Sequence, residues 1–315
     1  MIRLPFTNPK SELRHSRSAR GALAALVVLC LIWGYTWVAM KEALRFADPF
    51  DFAAIRTVSG ALLIFAAMLW LKRPLALRAA PRVLVLGLFQ TTGFNAFVSW
   101  ALLAGAAGKT AVLVFTFPFW TLLLAWPLLG ERVRGGQWLA VALAAGGLVL
   151  VLEPWHLAGT FASNLLALAT AVSWAVSAVL AKRWRLQQEL DLLALTAWQM
   201  LFGGIVLAAI AIVVPSRPIE WTAYFWAVLI YATLFGTMAG WLLWLFILNR
   251  LPAGIAGLSI MAVPALGVLF SRLQLAERPG AVELAGMLLI GASLALLSWR
   301  ALRGEQRVEP QAGQE

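Results

Sequence analysis

The chain has 315 residues, of which 62% are hydrophobic and 12% charged, about half the charged share of an ordinary soluble domain. Most of its surface must therefore meet something other than water. A net charge of +11 would suit nucleic acid, but the basic residues lie at the ends of apolar segments and not along one polar face, so membrane topology explains them better.

Residues 1–20 form a basic tail carrying Arg3, Lys10, Arg14, Arg17 and Arg20, and an apolar run follows from Gly21. No A-x-A cleavage pattern closes the run, and its length of about twenty residues suits an uncleaved first spanning helix. Further segments of that kind lie at 50–71, 82–103, 110–129, 136–153, 162–181, 192–214, 222–248, 252–274 and 282–300. Asn249 to Pro252 leaves only a tight gap between the eighth and ninth. In hydrocarbon a backbone must satisfy itself, and these continuous runs lack the alternation of barrel strands. The expected fold is an all-α polytopic membrane protein of ten transmembrane helices.

Lys and Arg concentrate in cytoplasmic loops. With the N-terminus inside, the inner segments hold eighteen basic residues, among them Lys72, Arg73, Arg132, Lys182 and Arg300. The outer segments hold six, Lys41, Arg45, Lys109, Arg217, Arg272 and Arg278, and Arg56 is left within a helix. The imbalance predicts cytoplasmic N- and C-termini in an inner (plasma) membrane.

The chain repeats itself. Trp33 and Lys41 stand eight apart in helix one, and Trp174 and Lys182 match them in helix six. Pro118 and Glu131 stand thirteen apart at helix four, as do Pro264 and Glu277 at helix nine. Thr91 and Asn95 in helix three correspond to Thr233 and Thr237 in helix eight. Three matches in one order indicate a duplication. Five helices per half force the halves to cross in opposite senses, the inverted-repeat plan of many secondary transporters, with a solute site between the halves near the midplane.

These features resemble the EamA-type carriers of the drug/metabolite transporter superfamily. LIWGYTWVAMKEAL, with Trp33, Gly34 and Lys41, is similar to that family's opening W-G-x-x-x-V/A-x-x-K element. PFDFAAIR, with Pro49 and Arg56, resembles its entry into helix two, and PFWTLLLAWPLLGE, with Pro118, Gly130 and Glu131, resembles its fourth-helix signature. The second half repeats that signature with Pro264 and Glu277, except that Ala276 stands where glycine is expected. The resemblance covers residues 20 to 302. It implies two EamA-like repeats, 21–153 and 162–302, with a second cytoplasmic tail at 303–315, and export of a metabolite, an amino acid or a drug-like solute.

Several residues are candidates for binding that solute. A charge inside a membrane helix is costly and needs a reason. Arg56 would either face a central cavity and hold an anionic group, or reach the interface or pair with Asp48 or Asp51. Thr91, Asn95 and Ser99 share one face of helix three, and Thr237, Trp241 and Trp244 lie along a similar face of helix eight. Polar stripes in lipid point inward, to line a wet cavity or to bond a neighbouring helix. Gly236 and Gly240 on helix eight have the spacing of close packing. Trp33, Trp37, Trp174 and Trp241 could stack on a solute or take its ammonium on a ring face, although lipid contact is the alternative for any one indole. Gln199 beside Trp198 is a further candidate. Pro118 and Pro264 are candidate hinges. Lys41, Lys182, Glu131 and Glu277 would anchor or cap helix ends, or take part in transport.

GAAGKT at Gly105–Thr110 imitates a phosphate loop, but Leu103 occupies a glycine position and no strand precedes it. With one cysteine, Cys30, two histidines, His15 and His156, and no acid central to a helix, no metal, cofactor or nucleic-acid partner is expected. The leading expectation is a non-enzymatic secondary carrier working by alternating access, with a small-molecule solute and the lipid bilayer as its partners. A membrane-embedded enzyme and a non-transporting scaffold are the alternatives. Substrate, direction, energy coupling and oligomeric state are not legible.

Overall fold

A computed structural model describes residues 9–133, 135, 137–155, 160–184, 191–250 and 260–308. The described residues form ten helical runs and no strands: α1 (Pro9–Ala43), α2 (Pro49–Trp70), α3 (Ala80–Ala104), α4 (Ala107–Leu129), α5 (Gln137–Leu152), α6 (Phe161–Arg183), α7 (Leu192–Val213), α8 (Ala223–Leu248), α9 (Ala262–Gln274) and α10 (Ala281–Val308). Eight are long and apolar enough to cross a membrane; α5, with 16 residues, and α9, with 13, are shorter. Part of the expected ninth segment, 252–259, lies outside the described residues, as do the tail positions 1–8 and 309–315, Arg134, His156 and Arg185.

Local chemistry sets the helix boundaries. Pro49 opens α2, where its missing N–H costs nothing, and Asp51 follows in the first turn. The Asp191 carboxylate caps α7, accepting from the Leu193 and Ala194 amides at 2.9 and 3.2 Å. α4 ends with Gly130 in the left-handed region (φ +74°) while the Glu131 amide donates to the Ala125 carbonyl at 3.3 Å, the helix-terminating pattern that favours glycine. α9 ends the same way: Ala276 adopts φ +54° and the Glu277 amide donates to the Ser271 carbonyl at 3.3 Å. The missing glycine of the second repeat therefore leaves the turn intact, and alanine bears the left-handed conformation that costs roughly 1–2 kcal/mol.

α3 and α8 depart from regular α-helix at matching places. The backbone widens to a π-helical pattern over Gly87–Gly93 in α3 and Tyr231–Ala239 in α8, features that often mark functional segments. Side chains of the opposite half take carbonyls there: Trp33 Nε1 donates to Gly236 O at 3.0 Å, and Ser173 Oγ to Phe89 O at 2.7 Å.

The helix pairing is nearly unchanged when the halves are exchanged. α2 packs on α7, α5 on α10 and α4 on α9; α1 meets α8 and α9 as α6 meets α3 and α4. Close backbone approaches support these contacts. A Cβ on Gly147 of α5 would stand 2.7 Å from the Gly286 carbonyl of α10, and one on Gly87 of α3 would stand 2.6 Å from the Gln199 carbonyl of α7. Outward faces are apolar, with Ile212 86% and Trp70 83% exposed. Such a surface is stable against lipid and not against water, so this is a multi-pass membrane protein.

All six ion pairs among the described residues lie near helix ends. Lys41–Glu277, Arg45–Glu42, Lys109–Glu283 and Arg217–Asp48 gather at one end of the bundle, and Arg73–Asp191 and Lys182–Glu131 at the other. Lys109, counted with the outer segments between helices three and four, sits in the first turn of α4, buried, 2.5 Å from Glu283.

Candidate functional site

A cavity of about 500 Å³ lies between the halves and is lined from every helix except α5. That volume suits a ligand of metabolite or drug size. α1 contributes Trp33, Thr36, Trp37 and Met40, which fall on one face by helical spacing. α2 contributes Arg56 and Thr57, the π segment of α3 brings Gln90 and Thr91, and Phe94 and Asn95 follow it. Gln199 and Met200 enter from α7, and Gly236, Thr237, Trp241 and Trp244 from α8.

Arg56 is the only charged lining residue among the described residues, and only 9% of it is exposed. Its Nη2 donates to Asn95 Oδ1, and Asn95 Nδ2 donates in turn to the Thr91 carbonyl at 2.8 Å. The Phe52 ring lies 5.9 Å from the guanidinium carbon. None of the ion pairs among the described residues includes Arg56, and its Nε has no hydrogen-bond partner. Pairing with Asp48, one alternative from the sequence, does not occur, because Arg217 occupies Asp48 at 3.2 Å.

Two aromatic groups face the space. Trp33 meets Trp241 edge-on at 6.1 Å and Trp244 at 6.2 Å. Trp174 stacks on Phe117 at 4.0 Å and 16°, with Phe94 and Phe115 edge-on to it. The Trp33 indole N–H is committed to Gly236, so only its ring remains for a ligand. A Cβ on Gly240 would strike that ring, which is why this packing needs glycine.

The structure thus brings Trp33, Trp37, Arg56, Asn95, Trp174, Gln199, Thr237 and Trp241 to one cavity. Ser99 is not in its lining: the side chain is buried one turn beyond Asn95, with no partner for its hydroxyl. Trp100 is 48% exposed beside Phe50. Pro118 lines the cavity in the first turn after a break at Phe115–Thr116, whereas Pro264, buried in the first turn of α9, does not line it. Each proline thus sits where a helix begins and its missing N–H is tolerated. Phe115, Phe117, Met261 and Ser298 also line the cavity. In sequence they read only as helix interior, and no pattern singles them out.

The helix-end residues of the repeat form two corresponding ion pairs. Lys41 lies 3.3 Å from Glu277 and also donates to the Gly105 carbonyl at 2.5 Å. Glu277 accepts from the Ala107 and Gly108 amides at 2.8 and 3.2 Å, at the start of α4, where the helix dipole favours a carboxylate. The GAAGKT segment thus holds a glutamate of its own chain. Lys182 pairs with Glu131 at 2.6 Å, and this pair is more open, at 63% and 47% exposure against 27% and 15%. Beside it, a smaller cavity of about 160 Å³ shares Pro118, Thr121, Ala178 and Leu297 with the large one. Among the described residues no three His, Cys, Asp or Glu side chains converge as metal ligands.

The comparisons with known proteins agree with this architecture. Residues 20–153 and 162–299 each match the model of the EamA-like transporter family. The chain is 26% identical over 275 residues to the uncharacterized transporter YoaV of Bacillus subtilis, covering 85% of this chain and 93% of that protein. It is 29% identical over 300 residues to a protein of Escherichia coli named a probable amino-acid metabolite efflux pump, covering 89% and 96%. A solved crystal structure shares the fold at a TM-score of 0.63 and 21% identity, over 91% of this chain and 99% of that one. With both halves matched, the chain belongs to the EamA-like transporter family.

Proposed function

We propose that the protein is a secondary carrier that exports a small metabolite, such as an amino acid or a drug-like solute, from the cytoplasm by alternating access. The observation that carries this reading is the cavity itself, built from both halves around one buried, unpaired cation. The same eight cavity residues, Trp33, Trp37, Arg56, Asn95, Trp174, Gln199, Thr237 and Trp241, hold the solute.

In this reading all ten helices cross an inner membrane, five per half in opposite senses, with both tails cytoplasmic. Each ion pair joins two residues that this arrangement assigns to one side. The Lys41–Glu277 and Lys182–Glu131 pairs are the outer and inner gates. The outer pair is the more buried of the two, and the large cavity extends toward the inner one through residues shared with the smaller cavity. The conformer is therefore closed outside. Pro118 and Pro264 mark the breaks at which α4 and α9 bend when the gates exchange.

Uptake and counterflow by purified protein in proteoliposomes, against a panel of amino acids, organic anions and amphipathic cations, test the proposal. Trans-stimulated exchange of at least one solute is expected. Failure to move any of them would sink the carrier reading.

A further inference from the structure

We infer that the solute is an organic monocarboxylate with a bulky apolar or aromatic body, and that the cavity requires its carboxylate but not an ammonium group. The inference rests on the reading of this cavity as the carrier's substrate site. It follows from the balance of charges in the lining.

An arginine side chain stays ionised in proteins, and its planar fork matches a carboxylate. Arg56 is held by Asn95 through one nitrogen, its Nε is unpartnered, and no ion pair neutralises it. A charge in so dry a place is an incomplete electrostatic arrangement, which a singly charged anion completes. Asn95 is fixed in turn by the Thr91 carbonyl, so the guanidinium is presented from a braced position.

The opposite charge finds no counterpart. No Asp or Glu lines the cavity among the described residues, and the undescribed stretch 251–259 beside Ile260 contains no ionisable residue. An ammonium group would meet no carboxylate, only indole faces and neutral acceptors such as Gln90 and Gln199, so a zwitterion is tolerated and a simple cation is not. The largest apolar walls are the tryptophan and phenylalanine groups on both sides, which take a flat apolar body.

Three probes with one phenylpropanoyl body set the carboxylate against the ammonium: 3-phenylpropionate and N-acetylphenylalanine carry only the first, and phenylalanine amide only the second. Binding is read by calorimetry on the protein in nanodiscs, and movement by counterflow in proteoliposomes. Both carboxylates are expected to bind, and the amide to bind at least ~10-fold more weakly. Arg56→Gln should weaken carboxylate binding by at least ~30-fold. Asn95→Asp keeps the arginine but gives it an internal anion, and should abolish carboxylate binding in a protein that still elutes as one species.

Equal or tighter binding of the amide would overturn the inference, and its counterflow would leave the carrier reading standing. Carboxylate-selective binding with no counterflow would uphold the site's chemistry and remove the carrier reading. Failure of all three probes to bind would also overturn the inference. So would Asn95→Asp binding carboxylates as the unaltered protein does.

Discussion

Gly87→Ala tests whether the cavity's shape depends on the close approach of α3 and α7. The added methyl would stand 2.6 Å from the Gln199 carbonyl, whereas ordinary contact begins at 3.4 Å, so the helices must part by about 0.8 Å. Overpacking of this size costs about 1–3 kcal/mol of stability. Gly147→Ala is the control. It meets the Gly286 carbonyl at 2.7 Å and forces a separation of about 0.7 Å between α5 and α10, with neither glycine in the cavity lining. Both variants should lose similar amounts in thermal unfolding of the detergent-purified protein. Only Gly87→Ala shifts Gln199, and only it should raise the KM for transport, by roughly 10-fold, the equivalent of about 1.4 kcal/mol. Equal changes in KM for the two variants, or none for Gly87→Ala despite its lost stability, would refute the claim that this contact shapes the site.

Other outcomes follow from the same geometry. Glu277→Gln removes a carboxylate that serves Lys41 and two helix-start amides, so it should cost the outward-closed state about 2 kcal/mol, roughly a 30-fold population shift. Glu131→Gln, in the exposed pair, should shift it less than ~5-fold in the other direction; distance measurements between spin labels across each gate would read both. Lys109→Met strands Glu283 beside a buried site and should lower stability by about 3 kcal/mol, part of it recovered by adding Glu283→Gln. Ala276→Gly should stabilise the protein by about 1 kcal/mol by relieving the left-handed alanine, visible as a raised Tm. Trp33→Phe leaves the Gly236 carbonyl without its indole partner, and hydrogen exchange at the amides of the α8 π segment should speed up about 5- to 10-fold.

Much of this site was legible because a membrane makes polarity expensive. Arg56, Asn95 and Gln199 stand out in apolar sequence since lipid gives them no partner, and the structure gathers them. Trp33 and Trp174 were marked by the repeat and not by their chemistry, and Trp33 proves to serve partly as a donor to Gly236. The π segments of α3 and α8 have no hydropathy signature, and the donors that take carbonyls in them, Trp33 and Ser173, come from the other half of the chain. Lys109 read as a loop residue because α4 begins at Ala107, three positions before the apolar run expected from Thr110, in a turn capped by Glu277 from 170 residues away. Phe115 and Phe117 look like any apolar helix interior until tertiary packing sets Trp174 against them.

Accessibility of one cavity position from each face tests alternating access most directly. Thr36, which lines the cavity from α1, is replaced by cysteine in a Cys30→Ala background, and a small impermeant thiol reagent is applied to one face at a time in oriented proteoliposomes. Modification should be fast from the cytoplasmic face without solute. Reaction from the outer face should be slow until a transported solute is supplied on the cytoplasmic side, and should then rise by at least ~10-fold. Equal, solute-independent modification from both faces would indicate a continuous pore, and modification from neither face under any condition would indicate a sealed structural cavity. Either result would contradict the account.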